Sequence, residues 1–337
     1  MLVAAVATMT VLGQAAWGVQ GVTAQRLAGS DRYGTAASIA ANTYGTGPVP
    51  TVVLASGENF PDALAAAYLA GGMHAPILLT PAASLSSTTL SEIQNLQAKG
   101  VEIVGGPAAV SNTVQAQLQN DGYTVQRIYG ADRYATAQAI ATVYPTSFIG
   151  ELGTGGPTAI VASGLAFPDA LAGSPLSYGA AFPTVLTDPS SLSAPAQSAL
   201  QSDGIKQVLL LGGTAAVSQN VQNQIAAMGI TVTRVAGQDR TDTAAQVASI
   251  EIQISGWTGA THVNLARGDN YPDALAGGPH AGTEKAPILL TEDPNTLGTY
   301  TTAWLQGHHT TISSIHVLGG SAAITDATVI AAQNAAT

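Results

Sequence analysis

Residues 26–32 read Arg-Leu-Ala-Gly-Ser-Asp-Arg, and the pattern returns as Arg-Ile-Tyr-Gly-Ala-Asp-Arg at 127–133 and as Arg-Val-Ala-Gly-Gln-Asp-Arg at 234–240. This pattern, R-x-x-G-x-D-R, holds six of the seven arginines in the 337-residue chain. An internal repeat outweighs local signals, because every copy must fold into the same kind of unit. The spacing therefore predicts three homologous units of about 100 residues, an ordinary size for a domain.

Three further motifs follow each arginine motif in the same order. They are an apolar run leading into aromatic-Pro-Asp-Ala-Leu-Ala, a Pro-x-x-x-Thr run, and a paired glycine after an apolar run. The three copies lie at 51–65, 159–172 and 262–276; at 76–80, 183–187 and 287–291; and at 105–106, 212–213 and 319–320. Short apolar runs that alternate with helical patterns are typical of strands buried on both faces of a parallel sheet.

The first copy shows the alternation of strands and helices in detail. The predicted strands are 23–27, 51–55, 76–80 and 101–104, and the predicted helices are 32–44, 61–71, 86–98 and 111–120. Asp31 and Ser111 are placed to cap helices, and Pro61 suits a first helical turn. The alternation implies right-handed crossovers and a parallel sheet covered by helices. The predicted fold is therefore α/β, with three tandem Rossmann-like three-layer repeats at 21–121, 122–228 and 229–337.

Residues 1–20 differ from the repeats, since 1–17 are apolar or small and carry no charge. This stretch is shorter than the roughly 20 apolar residues of a membrane span. It resembles the apolar region of a signal peptide, and we interpret 1–20 as a signal peptide remnant. A buried first strand or helix is the alternative. We expect a secreted protein without a transmembrane segment in the mature chain.

The composition limits the classes of partner. Charged residues make up 9% of the chain and the net charge is −10, which argues against nucleic-acid binding. The absence of cysteine excludes disulfides and thiolate metal sites. An anionic partner must therefore be bound by the few local arginines, against the overall charge of the protein.

The four motifs together resemble the cell wall binding repeat 2 family of Gram-positive surface proteins, over about residues 22–337. The resemblance implies three modules in a compact pseudo-threefold assembly. It also implies a secreted protein held at the cell wall or cell surface by non-covalent binding to anionic secondary wall polymers. Family members usually carry an effector domain as well, such as an amidase or protease, and no effector is visible in this sequence.

The candidate polymer-binding residues are polar positions that recur in the copies, together with one departure from the pattern in copy three. They are Arg26, Arg32, Arg127, Arg133, Arg234, Arg240, Asp62, Asp169, Asp273, Ser56, Ser163 and Arg267. The arginine that closes each motif either forms a buried pair with the preceding aspartate or holds a phosphate or carboxylate of the polymer. The aspartate after proline either stabilises a helix N-terminus, bonds sugar hydroxyls, or pairs with an arginine across a repeat interface.

No catalytic set is apparent, because none of the six histidines recurs in register with the serines. Metal ligands at fixed spacing and a complete G-x-G-x-x-G fingerprint are also missing, so no metal and no cofactor are predicted. The paired glycines suit either close strand–helix packing or a phosphate-binding turn. The sequence thus predicts a non-enzymatic wall-binding protein. The alternative is a surface-layer or matrix component that binds copies of itself.

Overall fold

The computed structural model describes residues 17–18, 21–254, 256–257 and 261–337. The predicted signal peptide at 1–20 lies outside the described residues, apart from a short strand, β1 (Trp17–Gly18). This strand pairs antiparallel with the start of the next strand, Gly18 opposite Thr23.

The secondary structure follows the predicted alternation. The first part contains β2 (Thr23–Leu27), α1 (Arg32–Tyr44), β3 (Thr51–Ser56), α2 (Pro61–Met73), β4 (Ile77–Thr80), α3 (Ser87–Asn95), β5 (Gly100–Val104) and α4 (Asn112–Asn120). The second contains β6 (Thr124–Ile128), α5 (Arg133–Ala141), β7 (Thr158–Ser163), α6 (Pro168–Ala172), α7 (Ser174–Gly179), β8 (Thr184–Thr187), α8 (Ala194–Ser202), β9 (Gln207–Leu211) and α9 (Gln219–Ala227), with a 3₁₀ turn at Thr146–Phe148. The third contains β10 (Thr231–Val235), α10 (Arg240–Glu251), β11 (His262–Arg267), α11 (Gly277–Glu284), β12 (Ile288–Thr291), α12 (Thr299–Gly307), β13 (Ser314–Leu318) and α13 (Asp326–Ala335).

The strands form three sheets, ordered β4-β3-β5-β6, β8-β7-β9-β10 and β12-β11-β13-β2, with β1 added beside β2. Among the strands named above, every pairing apart from that of β1 is parallel. Three parallel four-stranded sheets joined through helices confirm the predicted α/β fold class.

The sheets do not follow the repeat boundaries that the motifs suggest at 121 and 228. Each sheet takes its last strand from the next copy, and the third sheet takes β2 from the start of the chain, with Leu318 opposite Leu27. The expectation that 23–27 would join the first sheet is therefore wrong. A strand at the end of a sheet needs only one parallel neighbour. The strand β6, which ends the first sheet in the same way, is mostly exposed or half-buried, so its local pattern does not specify which sheet it completes.

The hydrophobic core has a shared centre and outer layers. In β3, Val53 and Ala55 belong to the central cluster, which draws on all three repeats, whereas Val52 and Leu54 belong to an outer cluster. Alternate residues of a strand face opposite sides of a sheet, so this strand is buried on both faces. Because one apolar cluster spans the three repeats, the copies form one body.

The centre of that body has pseudo-threefold symmetry, as the resemblance implies. Helices α2, α7 and α11 pack against one another. Phe60, Phe167 and Tyr271 occupy the same motif position in the three copies. Their ring centroids form a triangle with sides of 6.0, 5.4 and 5.5 Å. No helix among the described residues is long and apolar enough to cross a membrane.

Candidate functional site: aspartates and arginines between successive repeats

The aspartate of each arginine motif caps the helix that follows it. The carboxylates of Asp31 and Asp132 accept the backbone N–H of Gly34 and Ala135, each at 2.8 Å. Asp239 accepts from the N–H groups of both Thr241 and Asp242. A side-chain oxygen at this position satisfies a donor that the helix itself leaves unpaired. The aspartates are therefore committed to local structure.

The second arginine of each motif does not pair with that aspartate, so the interpretation as a buried Arg–Asp pair is wrong. Because the carboxylate caps the helix, the arginine at the first helical position bonds instead to the backbone just after the next strand in the sequence. The Nη1 atoms of Arg32, Arg133 and Arg240 donate to the carbonyl oxygens of the glycines that follow β3, β7 and β11. The distances are 2.5 Å to Gly57, 2.7 Å to Gly164 and 2.8 Å to Gly268.

Within the described part of the chain, these three guanidinium groups donate hydrogen bonds only through Nη1. Their remaining N–H groups donate no hydrogen bond to any described residue. Arg32 and Arg133 are half-buried and Arg240 is exposed. Each arginine is therefore fixed by one bond while retaining donors for another group.

The first arginine of each motif has a different environment. Arg26, Arg127 and Arg234 donate through Nη1 to the first glycine carbonyl of a paired-glycine turn, at 2.8 Å in each case. Arg127 and Arg234 also bond a glutamine through Nε, and Arg26 forms an ion pair with Asp326 at 2.9 Å. These arginines hold an edge strand to the turn beside it, which is a structural role.

The paired-glycine turns need glycine for two reasons. Gly105, Gly212 and Gly319 have φ of +97°, +100° and +111°, a region that favours glycine. A Cβ atom on Gly105 or Gly212 would also lie 2.3 or 2.4 Å from a carboxylate oxygen of Asp62 or Asp169. The turn therefore brings the backbone directly against the aspartate of the Pro-Asp-Ala motif.

Asp62 and Asp169 each lie near an arginine of the next repeat. Burial raises the pKa of Asp62 above its ordinary value of 3.8, and the nearby Arg133 of the next copy partly opposes that rise. The pKa of Asp169 is raised by burial in the same way, with Arg240 as the opposing charge. Asp273 repeats the arrangement with residues from the start of the chain. Burial raises its pKa, while the Thr35 hydroxyl and the Arg32 guanidinium lower it.

The same groups line surface clefts. One cleft of about 450 Å³ contains Asp169, Gly213 and Arg240, together with the aromatic edge of Phe167. A second, of about 310 Å³, contains the equivalent Asp62, Gly106 and Arg133. Asp273 and Arg32 mark the corresponding place where the third repeat meets the first. The structure thus brings the second arginine and the aspartate of the predicted site together, from different copies.

The remaining candidates serve the turns, and Arg267 also lies near Asp273. The hydroxyls of Ser56 and Ser163 are almost fully buried and accept the backbone N–H two residues on, at 3.2 and 3.1 Å. Arg267, which replaces this serine in copy three, donates from Nε and Nη2 to Asp269. These residues stabilise the strand-to-helix turn.

One group of polar residues was missed at the sequence level. His280, Glu284 and His316 converge in the third repeat, although the scattered histidines gave no metal prediction. The available signal was the four-residue spacing of His280 and Glu284, which places both on one face of a helix. Their partner His316 comes from a strand 32 positions beyond Glu284, and only the fold brings it near.

The geometry defines a class of protein with three α/β modules around a pseudo-threefold axis and a polar cleft where successive modules meet. A family model described as Cell wall binding domain 2 (CWB2) matches residues 26–115, 127–222 and 234–329. The chain belongs to this family.

Individual relatives support the assignment. N-acetylmuramoyl-L-alanine amidase LytC of Bacillus subtilis (strain 168) is 31% identical over 271 residues, which cover 80% of this chain and 51% of the amidase. The Amidase enhancer of the same organism is 32% identical over 265 residues, 79% of this chain and 34% of that protein. The chain therefore spans about half, or a third, of the length of these curated relatives.

Solved structures agree with the fold. Cwp6 from Clostridium difficile superposes with a TM-score of 0.81 at 26% identity, over 93% of this chain and 48% of that one. Cwp8 from the same organism gives a TM-score of 0.80 at 28% identity, over 93% of this chain and 51% of that one.

Proposed function

We propose that this protein is a non-catalytic cell-surface component that binds anionic secondary cell wall polymers at the three places where an arginine of one repeat lies near an aspartate of another. The proposal depends chiefly on Arg32, Arg133 and Arg240. Each is anchored by one bond to a glycine carbonyl and keeps donors without a partner among the described residues. Guanidinium groups bind phosphate and carboxylate with two parallel hydrogen bonds, which suits a polymer that carries such groups.

Backbone donors in the clefts support the same ligand chemistry. The N–H groups of Gly106 and Gly213, which line the two clefts, donate no hydrogen bond within the described ranges. Backbone N–H groups at glycine turns are common donors to anions. An anionic group in either cleft would meet one guanidinium edge and at least one main-chain donor.

The aspartates in the clefts set a limit on anion binding. Asp62 and Asp169 add negative charge beside the arginines, which opposes binding of a polyanion. Burial raises the pKa of both carboxyls, so a protonated form is more accessible than for an exposed aspartate. Either form can also hydrogen-bond sugar hydroxyls, and the clefts therefore suit a glycopolymer better than a free phosphate.

Multivalency supplies the affinity that one cleft lacks. Three similar Asp–Arg sites on one body would engage a repeating polymer simultaneously, so that the second and third contacts form at a high effective concentration. Avidity of this kind exceeds single-site affinity by about 10²–10⁴. A weak site with one arginine is therefore sufficient when it is present three times.

The proposal of a non-catalytic role is supported by the use of the repeated serines. Ser56 and Ser163 are buried in turns and accept hydrogen bonds from the backbone. A serine nucleophile requires an adjacent base and exposure to substrate. The amidase activity in the name of LytC belongs to that protein, and half of its length has no counterpart in this chain.

Sedimentation with isolated cell walls tests the proposal. We expect binding to walls that retain their secondary polymer, little binding to walls from which it has been extracted, and weaker binding as salt rises, because exposed ionic contacts are screened. Sedimentation without walls reports self-association, the alternative function. Equal binding to extracted walls, or pelleting that needs no walls, would contradict the proposed ligand.

Binding should also depend on pH. Because burial raises the pKa of Asp169, its protonation begins at higher pH than for an ordinary aspartate, and protonation removes a negative charge from the cleft. We therefore expect tighter binding as pH falls from neutrality toward 3.8, provided that the polymer stays ionised. The variant Asp62→Asn/Asp169→Asn/Asp273→Asn should bind as tightly at neutral pH as at acid pH. A steep pH dependence that persists in this variant would assign the effect to the polymer.

A further inference from the structure

Three potential metal ligands meet in the third repeat, away from the clefts. His280 and Glu284 lie one turn apart on α11, and His316 lies on β13. The atom pairs are His280 Nε2 to His316 Nδ1 at 3.0 Å, His316 Nδ1 to Glu284 Oε2 at 3.0 Å, and His280 Nε2 to Glu284 Oε2 at 3.3 Å. One ligand atom from each residue thus forms a compact triangle.

The hydrogen bonds around His280 fix its tautomer. The Thr43 hydroxyl lies 2.7 Å from the carbonyl of Ile39, which can only accept, so the single hydroxyl hydrogen is donated there. The same hydroxyl lies 2.8 Å from His280 Nδ1 and must accept from it. His280 therefore carries hydrogen on Nδ1. The ring is almost fully buried, and in its neutral form Nε2 then presents a lone pair to the triangle.

The triangle consequently contains more acceptors than donors. His280 Nε2 and Glu284 Oε2 both present lone pairs 3.3 Å apart, and His316 Nδ1 supplies at most one hydrogen for the two. A cation above the triangle would satisfy all three atoms. In a tetrahedral zinc site with ligands at about 2.0–2.2 Å, neighbouring ligand atoms are about 3.3–3.6 Å apart, close to the observed separations.

A second observation concerns Asn264, which pairs in register with His316 on the neighbouring strand β11. Paired residues of neighbouring strands lie on the same face of a sheet, so the amide shares this face with the imidazole. Asn264 is fully buried, yet neither its amide nitrogen nor its oxygen has a hydrogen-bond partner in the described part of the protein. Buried amides are normally bonded, and an ion with its own water would supply a partner on this face.

We propose that His280, Glu284 and His316 bind a divalent transition metal ion, for which Zn²⁺ has the best-matched coordination. Two imidazoles and one carboxylate are ligands of this class of ion, and they leave one tetrahedral position for water. The Thr43–His280 bond is the outer partner that orients a metal-bound histidine. Because Thr43 lies on α1 and His280 on α11, the ion would stabilise the contact between the first and third repeats.

Thermal unfolding of the untagged full chain, treated with chelator and dialysed, tests this site. At a concentration about 100 times the dissociation constant, Zn²⁺ should raise the Tm by about 4 °C or more, whereas Mg²⁺, which prefers oxygen ligands, should not. Glu284→Gln and His280→Asn should remove the Zn²⁺-dependent rise. The matched control is His309→Gln, which removes an exposed histidine outside the triangle and should retain the rise.

Absence of a rise in the unaltered chain would overturn the site, as would a rise that persists in Glu284→Gln and His280→Asn. A second measurement avoids variants that fold poorly. Co²⁺ added to the unaltered chain should give the intense visible absorption of a tetrahedral ion, and Zn²⁺ should displace it. Only the weak spectrum of hydrated Co²⁺ would also overturn the proposal.

Discussion

The variant Arg32→Gln/Arg133→Gln/Arg240→Gln is expected to lose cell wall binding by about 100-fold or more, while its Tm stays close to that of the unaltered chain. Each glutamine keeps a polar side chain but removes the cation and the fork of donors that faces the cleft. Single and double variants should lose binding in graded steps, since avidity depends on the number of sites. The measurement is sedimentation with walls beside thermal unfolding.

The matched control for this series is Arg234→Gln. Arg234 is the first arginine of its motif and donates to Gln222, Gly212, Val217 and Ser218. Its loss leaves several part-buried acceptors unpaired, so it should lower the Tm clearly and leave the affinity of the folded fraction nearly unchanged. If instead the triple variant unfolds at much lower temperature and its folded fraction binds normally, the two arginine sets have been assigned the wrong way round.

The second large effect is expected for Gly212→Ala, which should destabilise the protein by about 2–4 kcal/mol. Two costs combine, because alanine disfavours the φ of +100° at this position and its Cβ would lie 2.4 Å from Asp169 Oδ2. The Cβ of Ala216, at 3.0 Å, also crowds the added methyl group. Chemical denaturation, monitored by circular dichroism, measures the loss.

The adjacent Gly213→Ala provides a control within the same turn. Gly213 has no positive φ, and a Cβ at this position meets no atom within 4 Å. We expect a change within about 0.5 kcal/mol, as for ordinary surface substitutions. Equal effects of the two substitutions would show that the close approach of Asp169 does not constrain the turn.

Local structure was largely predictable from the sequence. The predicted α1, at 32–44, has the observed bounds, and Asp31 and Ser111 cap helices as expected. These features depend on short-range chemistry, namely caps, a proline at a first turn and apolar runs of strand length. The repeat made the prediction firmer, because the same signals appear three times.

Long-range relations were less accessible. The sequence offered a pairing of Asp62 with an arginine across a repeat interface as one of three alternatives, but it did not show which arginine lies there, and the structure places Arg133 of the next copy near it. The local sequence of β2 does not indicate which sheet it joins, so its pairing with β13 could not be predicted. His280 and His316 are 36 residues apart in the sequence, and only the fold brings them together.

The pairing of β2 with β13 joins the first and third repeats through the third sheet. Among the described strands, β2 has no parallel partner until β13 has been synthesised, so the third sheet is completed last. Arg32 and Asp273 come together only when the first and third repeats are in contact. A chain without β13 would retain two of the three sites where an arginine lies near an aspartate of another repeat. Under the proposed function, a chain without β13 would bind the polymer through fewer contacts and therefore more weakly.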